Sequence, residues 1–145
     1  MSRSFLENEY TERIMSSVAT GQAANESSVV DTVGFDSFTF IAALGAIDPT
    51  GTVVMKLQQC DTDDGSFADL TDASATATAN DDEGLLVVEI YRPAERYLKA
   101  IVTTDVANGE IDSVICIKRD PKEIPVTQSD DVIDSAFVAS PDESA

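Results

Sequence analysis

The sequence predicts an all-β fold, an antiparallel β-sandwich or small barrel, on three observations. Short segments rich in Val, Ile, Thr and Phe alternate apolar and polar residues at a period of two. Turn signals separate them at intervals of roughly 8 to 14 residues, the spacing of a sandwich. No long helical pattern lies between them, as a parallel α/β sheet would require.

The chain of 145 residues has room for one domain. Composition divides it into an N-terminal arm (1–28), a β-sandwich domain (29–125) and an acidic C-terminal tail (126–145). In the arm, Leu6, Tyr10, Ile14 and Val18 recur at helical spacing and predict a short amphipathic helix. A small, polar stretch at 20–28 reads as a linker. Residues 37–44 (SFTFIAAL) and 52–60 (TVVMKLQQC) alternate, and the Asp48-Pro-Thr-Gly51 turn between them predicts a hairpin. Asp61-Thr-Asp-Asp-Gly65 is the next turn, with Gly65 expected at positive φ. A short apolar segment at 67–70 precedes an exposed loop at 71–83. Strands are expected at 84–90, 97–104 and 110–118, the last two joined by a turn at 107–109. The inner face then comprises Phe38, Phe40, Val53, Met55, Leu57, Val87, Leu98, Val102 and Ile115.

The chemical inventory is sparse. The chain has no His, so a Ser–His or Cys–His nucleophile cannot be assembled. Two distant cysteines, Cys60 and Cys116, make no zinc site and are expected as free thiols in a reducing cytoplasm. The Asp61–Gly65 run has Gly one place too early for an EF-hand loop and reads as a turn. Glycines occur singly, without a phosphate-cradling loop. These absences predict a protein that is not an enzyme and needs no metal or cofactor. A net charge of −18 argues against nucleic acid, and no stretch has the length of a membrane span. Acids near the N-terminus, where a secretory peptide would be apolar, predict synthesis in a cytoplasm without export.

Charge is polarised along the chain. Residues 61–83 hold eight acids and no base, whereas six of the nine basic residues fall between 92 and 122. Those six (Arg92, Arg96, Lys99, Lys118, Arg119 and Lys122) either balance local acids or form a basic edge that meets an acidic one across a symmetric contact. On the second reading Arg92, Arg96 and Arg119 are partner-contact residues, joined by Leu6, Tyr10 and Ile14 of the arm as apolar anchors.

The run Ser27-Ser-Val-Val-Asp-Thr-Val-Gly-Phe-Asp-Ser-Phe-Thr-Phe-Ile-Ala-Ala-Leu-Gly-Ala46 is followed by Val54-Met-Lys-Leu-Gln-Gln-Cys-Asp-Thr-Asp-Asp-Gly-Ser-Phe-Ala-Asp69 and by Tyr91-Arg-Pro-Ala-Glu-Arg-Tyr-Leu-Lys-Ala100. In this order, over about residues 27–118, they resemble the tailed-bacteriophage head decoration (cement) proteins. The resemblance implies a jelly-roll-like sandwich that binds the outer capsid surface as a dimer or trimer and clamps the major capsid protein. The N-terminal arm and the long acidic tail depart from that pattern. A different component of the virion, in the tail, neck or a fibre, is the alternative; glycan binding there would draw on Phe67, Tyr91 and Tyr97.

Overall fold

Strand pairing converges on one element, β8 (Tyr97–Pro121), which runs 25 residues and is bordered along both edges. The computed structural model describes residues 4–138, so the parts of the arm and tail expectations that fall on 1–3 and 139–145 lie outside the described residues. After a short helical turn, α1 (Phe5–Asn8), come β1 (Tyr10–Met15), β2 (Val18–Glu26) and β3 (Val30–Asp31). All three pair antiparallel with β8 along one edge. Along the other edge lie β4 (Phe35–Ile47) and β5 (Thr52–Cys60). Two outer strands complete the eight-stranded sheet: β6 (Ala68–Thr78) beside β5, and β7 (Leu85–Tyr91) beside β4. The fold is all β and antiparallel, a sheet curled over a single core.

The curl is made at one corner, where three chain segments change layer together. Strand β8 bends at residues 105–109, opposite the β4–β5 turn: Thr52 pairs with Asp105 and Ile47 with Gly109. On the far edge, the β1–β2 connection crosses at the same level, with Val18 against Ile111 and Gly21 against Gly109. Gly109 eases the close approach there, since a Cβ would lie 3.2 Å from methyl carbons of both Thr104 and Val53, tighter than ordinary contact. Val106 takes φ +66°, a left-handed conformation that a β-branched residue adopts only under strain. Past the bend, alternate residues of both layers face inward. Leu98, Ala100 and Val102 meet Phe38, Phe40, Val114 and Cys116 in one buried cluster that also holds Val53, Met55 and Leu57.

Several sequence-based expectations are corrected. Residues 37–44 and 52–60 are strands, but they form no hairpin: β4 and β5 lie end to end along the same edge of β8. The helix expected through Leu6, Tyr10, Ile14 and Val18 is confined to the turn α1 at Leu6; Tyr10, Ile14 and Val18 lie in two strands, because Ile14 and Met15 are recruited into the core. Ile14 is therefore no free anchor, and the segment 10–26 is part of the sheet rather than a detached arm. Residues 71–78, expected as loop, continue β6. Ala77 is buried and Ala73 and Ala75 are half-buried in turn, a period-two pattern that small residues disguise. The 107–109 turn is a bend inside one strand. In β7 and the second half of β8 the faces are reversed: Leu86, Val88, Val114 and Cys116 are buried, while Val87 is exposed and Ile115 half-buried. Gly65 does not have positive φ; a Cβ there would strike Thr62 Oγ1 and Cys60 Sγ, so close approach explains it.

The strain at Val106 is testable. Val106→Asn, whose side chain tolerates the left-handed region, is expected to raise unfolding free energy by about 1 kcal/mol in urea titrations. Destabilisation by that substitution would mean the bend does not hold residue 106 in this conformation.

Candidate interaction surface

The register places side chains in rows across β1, β8, β4 and β7. Directly opposed residues share a face. One row runs Glu12, Cys116, Phe40, Val88 and points into the core; the next runs Arg13, Ile115, Ile41, Val87 and points outward. Flanking outward rows carry Ile117, Thr39 and Glu89 on one side, and Ser113, Ala43 and Leu85 on the other. The outer face of this layer therefore bears an apolar band, Ile117–Ile115–Ile41–Val87–Leu85, ending in side chains that are 53% (Val87) and 65% (Leu85) exposed. Sequence reasoning missed this band by assigning Val87 and Ile115 inward. Both faces of GLLVVEI are apolar, so alternation alone could not orient it.

Beside the band lies a polar cluster. Glu89 accepts hydrogen bonds from Thr39 Oγ1 at 3.0 Å and from Arg119 Nη1 at 3.2 Å, and Arg119 also pairs with Glu9 at 3.4 Å. Tyr91 is exposed, with the Arg92 guanidinium 5.1 Å from its ring centre. Phe67 and Tyr97 are half-buried, each under a cation, Lys99 at 4.5 Å and Arg96 at 5.0 Å. The three aromatics considered for glycan binding are thus split between β7 and the far layer.

The basic residues of 92–122 mostly balance local acids. Arg96 forms a forked pair with Asp31 (3.0 and 2.9 Å), and Lys99 meets Glu26 at 3.1 Å. Lys118 lies 3.8 Å from Glu12, and Arg119 holds Glu9. As the acids ascend the chain (Glu9, Glu12, Glu26, Asp31), their partners descend it (Arg119, Lys118, Lys99, Arg96), an ion-pair ladder that matches the antiparallel register of the N-terminal strands on β8. Lys118 is the most enclosed of the four cations. Its ammonium donates to the Asp31 carbonyl at 2.9 Å and sits 4.7 Å from the Tyr10 ring, which packs against Phe35. Tyr10 is thereby tied into the fold, and Leu6 is half-buried in α1.

Electrostatics differ along the ladder. The Arg96 hydrogen bonds hold the Asp31 carboxyl below the ordinary carboxylate range. Burial pushes Glu12 above it, with Lys118 opposing only in part. Burial likewise raises the Cys116 thiol, while Cys60 stays buried and free. Among the described residues no group of three His, Cys, Asp or Glu could hold a metal, and no helix is long and apolar enough to cross a membrane.

The open edge of β1 is covered by the start of the segment expected as an acidic tail. Gln128 Oε1 accepts from the Thr11 amide at 3.0 Å, Asp131 Oδ2 accepts from the Arg13 amide at 2.8 Å, and Ser129 Oγ donates to the Thr11 carbonyl. Val126 N donates to the Glu7 carbonyl at 2.8 Å. The described chain beyond has no regular structure, and Ile133 and Phe137 are 92% and 65% exposed.

No protein-family model and no curated protein matches the chain. Among solved structures it is similar to the Bacillus endospore appendage that forms disulfide-linked pili, at 9% identity and TM-score 0.44 over 80% of this chain and 91% of that one. It is similar also to the Clostridium thermocellum xylanase 10B CBM22-1–GH10 modules, at 10% identity and TM-score 0.43 over 88% of this chain and 30% of that one. A third similarity is to infectious bursal disease virus, at 8% identity and TM-score 0.28 over 82% and 39%. Scores below 0.5 make these likenesses too loose to bear on function.

The Asp31–Arg96 pair gives a pH prediction. A depressed folded-state carboxyl stabilises the protein above the unfolded carboxylate range, and this is lost as pH falls through the folded value. Asp31→Asn should therefore lower stability at neutral pH, by less than about 1 kcal/mol because the pair is solvent-exposed. The difference should vanish near pH ~2. Urea midpoints of both proteins at the two pH values check this; an equal loss at each would assign the effect to packing.

Proposed function

We propose that this chain is a non-catalytic structural protein of a tailed-bacteriophage particle, a decoration protein that binds the outside of the head. The observation that carries the reading is the apolar band on the outer face of the β1–β8–β4–β7 layer, which the protein's own described residues leave partly uncovered at Leu85 and Val87. An exposed apolar band on an otherwise strongly acidic surface marks a contact with another macromolecule. The phage head enters through the sequence resemblance, which names the major capsid protein as partner. Neither a cofactor nor a metal has a part in the proposed role, and nucleic acid and membrane are no partners. The protein would be made in the host cytoplasm and act on the outer capsid surface.

Mechanically, the fold suits such a role. Both edges of β8 are bonded over most of its length, so force applied to the layer is shared by many backbone hydrogen bonds. Repeated on a shell, many modest contacts sum to a strong clamp through multivalency, and a negative exterior keeps particles apart. The binding surface in this reading is the band and not the N-terminal anchors: Ile14 is in the core, and removing residues 1–20 would delete β1 and part of β2.

Co-sedimentation with undecorated heads tests the proposal. Wild-type protein should bind, and Val87→Lys should bind at least about tenfold more weakly, because a buried charge costs more than the ~1.4 kcal/mol a decade requires. Its melting temperature should be unchanged, since Val87 faces solvent. Equal binding by both would remove the band from the interface. No binding by either would refute the decoration role.

A further inference from the structure

Most cations of this acidic chain are spent on its own carboxylates. Among the described residues, Lys56, Arg96, Lys99, Lys118 and Arg119 are each engaged by an acid. Arg13, Arg92 and Lys122 form no ion pair there. On a molecule of net charge −18, a cation without an acid is the exception.

Two of these three stand at the borders of the outer face that carries the apolar band. Arg13 is exposed and begins the outward row that continues through Ile115, Ile41 and Val87. Arg92 follows Tyr91, which shares its outward row with Ser37 and Arg119, and its guanidinium lies 5.1 Å from the Tyr91 ring centre. Lys122 lies past the end of β8, beside Gly34 and Pro125.

The spacing of the two is set by the sheet. Arg13 and the Tyr91 corner are three strand spacings apart across the layer and four residues apart along β7. That is about 14 Å by 13 Å, or roughly 19 Å on the diagonal. Between them, Arg119 is already held by Glu89 and Glu9. The opposite end of β7 is acidic, with Asp81, Asp82 and Glu83 preceding Leu85.

At the Arg13 border the chain seats a segment of its own. Asp130, Asp131, Val132 and Ile133 line one cleft with Arg13 and Ile115, and Asp131 accepts from the Arg13 amide. Carboxylates followed by branched aliphatic side chains are therefore a chemistry that this border already accepts.

We propose that the partner's matching surface is an apolar ridge with a carboxylate at each end, one for Arg13 and one for Arg92. This rests on the reading of the band as the head-binding surface and names what that surface must meet. The ridge covers Ile41, Val87 and Leu85, and the two ion pairs select one diagonal of the face. Laid along the other diagonal, the ridge would bring a carboxylate to Asp82 and Glu83, a like-charge contact that disfavours docking.

Co-sedimentation of the full-length protein with undecorated heads at low ionic strength tests this. Arg13→Gln, Arg92→Gln and Lys122→Gln each remove one positive charge from an exposed side chain, so all three share any long-range effect of net charge. Arg13→Gln and Arg92→Gln should each bind about threefold more weakly, and the double variant about tenfold more weakly. Lys122→Gln should bind as wild type does, and the losses should shrink as added salt screens the pairs. Melting temperatures should not change. Equal weakening by all three single variants would overturn the proposal, because net charge alone would then explain it. A double variant that binds as tightly as wild type would also overturn it; if Val87→Lys still loses binding, the head-binding reading survives and only the carboxylate-ended ridge falls. Wild-type protein that binds no heads removes both.

Discussion

Everything in this structure hangs on the double-sided pairing of β8. A strand of ordinary length would be bonded on both edges by one neighbour each. Here 25 residues are shared by β1, β2 and β3 on one edge and by β4 and β5 on the other. Because the three paths bend at one level, the layers fold over together and the core closes between them. The bend packs tightly around Gly109 and accepts a strained residue at 106. Once β8 is placed, the inward rows are fixed, and so is the outward band.

The second organising force is electrostatic and works by position more than by strength. With a net charge of −18, the molecule repels itself at long range. Setting Glu9, Glu12, Glu26 and Asp31 within ion-pair distance of Arg119, Lys118, Lys99 and Arg96 relieves that repulsion where the N-terminal strands must settle. Single exposed pairs contribute little. Four in antiparallel order favour this register together, since a shift would draw each acid away from its cation. Edges are handled by separate means: acids on β6, and side chains of Gln128, Ser129 and Asp131 on β1.

The strand class was readable because apolar alternation is local. Phe38, Phe40, Val53, Met55 and Leu57 fall on the core face that their spacing assigns. Pairing is not local, and here the reading failed. A Pro-Thr-Gly turn between two strands resembles a hairpin, yet the same residues turn a corner between layers when a third strand lies beside both. The N-terminal segment failed for a related reason: Tyr10 and Ile14 share a helical stripe and a strand face equally well, and only β8 decides between them. Of the candidate contacts, Ile14 is spent on the core, while Arg96 and Arg119 are engaged by acids of their own chain. The band escaped notice because β7 is apolar on both sides.

The central claim, that β4 and β5 share an edge of β8 and do not form a hairpin, is directly measurable. In an isotope-labelled sample, cross-strand nuclear Overhauser effects should link Cys116 to both Glu12 and Phe40. They should also link Thr104 to Val53, with no ladder of contacts between residues 37–44 and 52–60. A regular antiparallel ladder joining those two segments would contradict the account, since the corner and the outward rows would then have no basis.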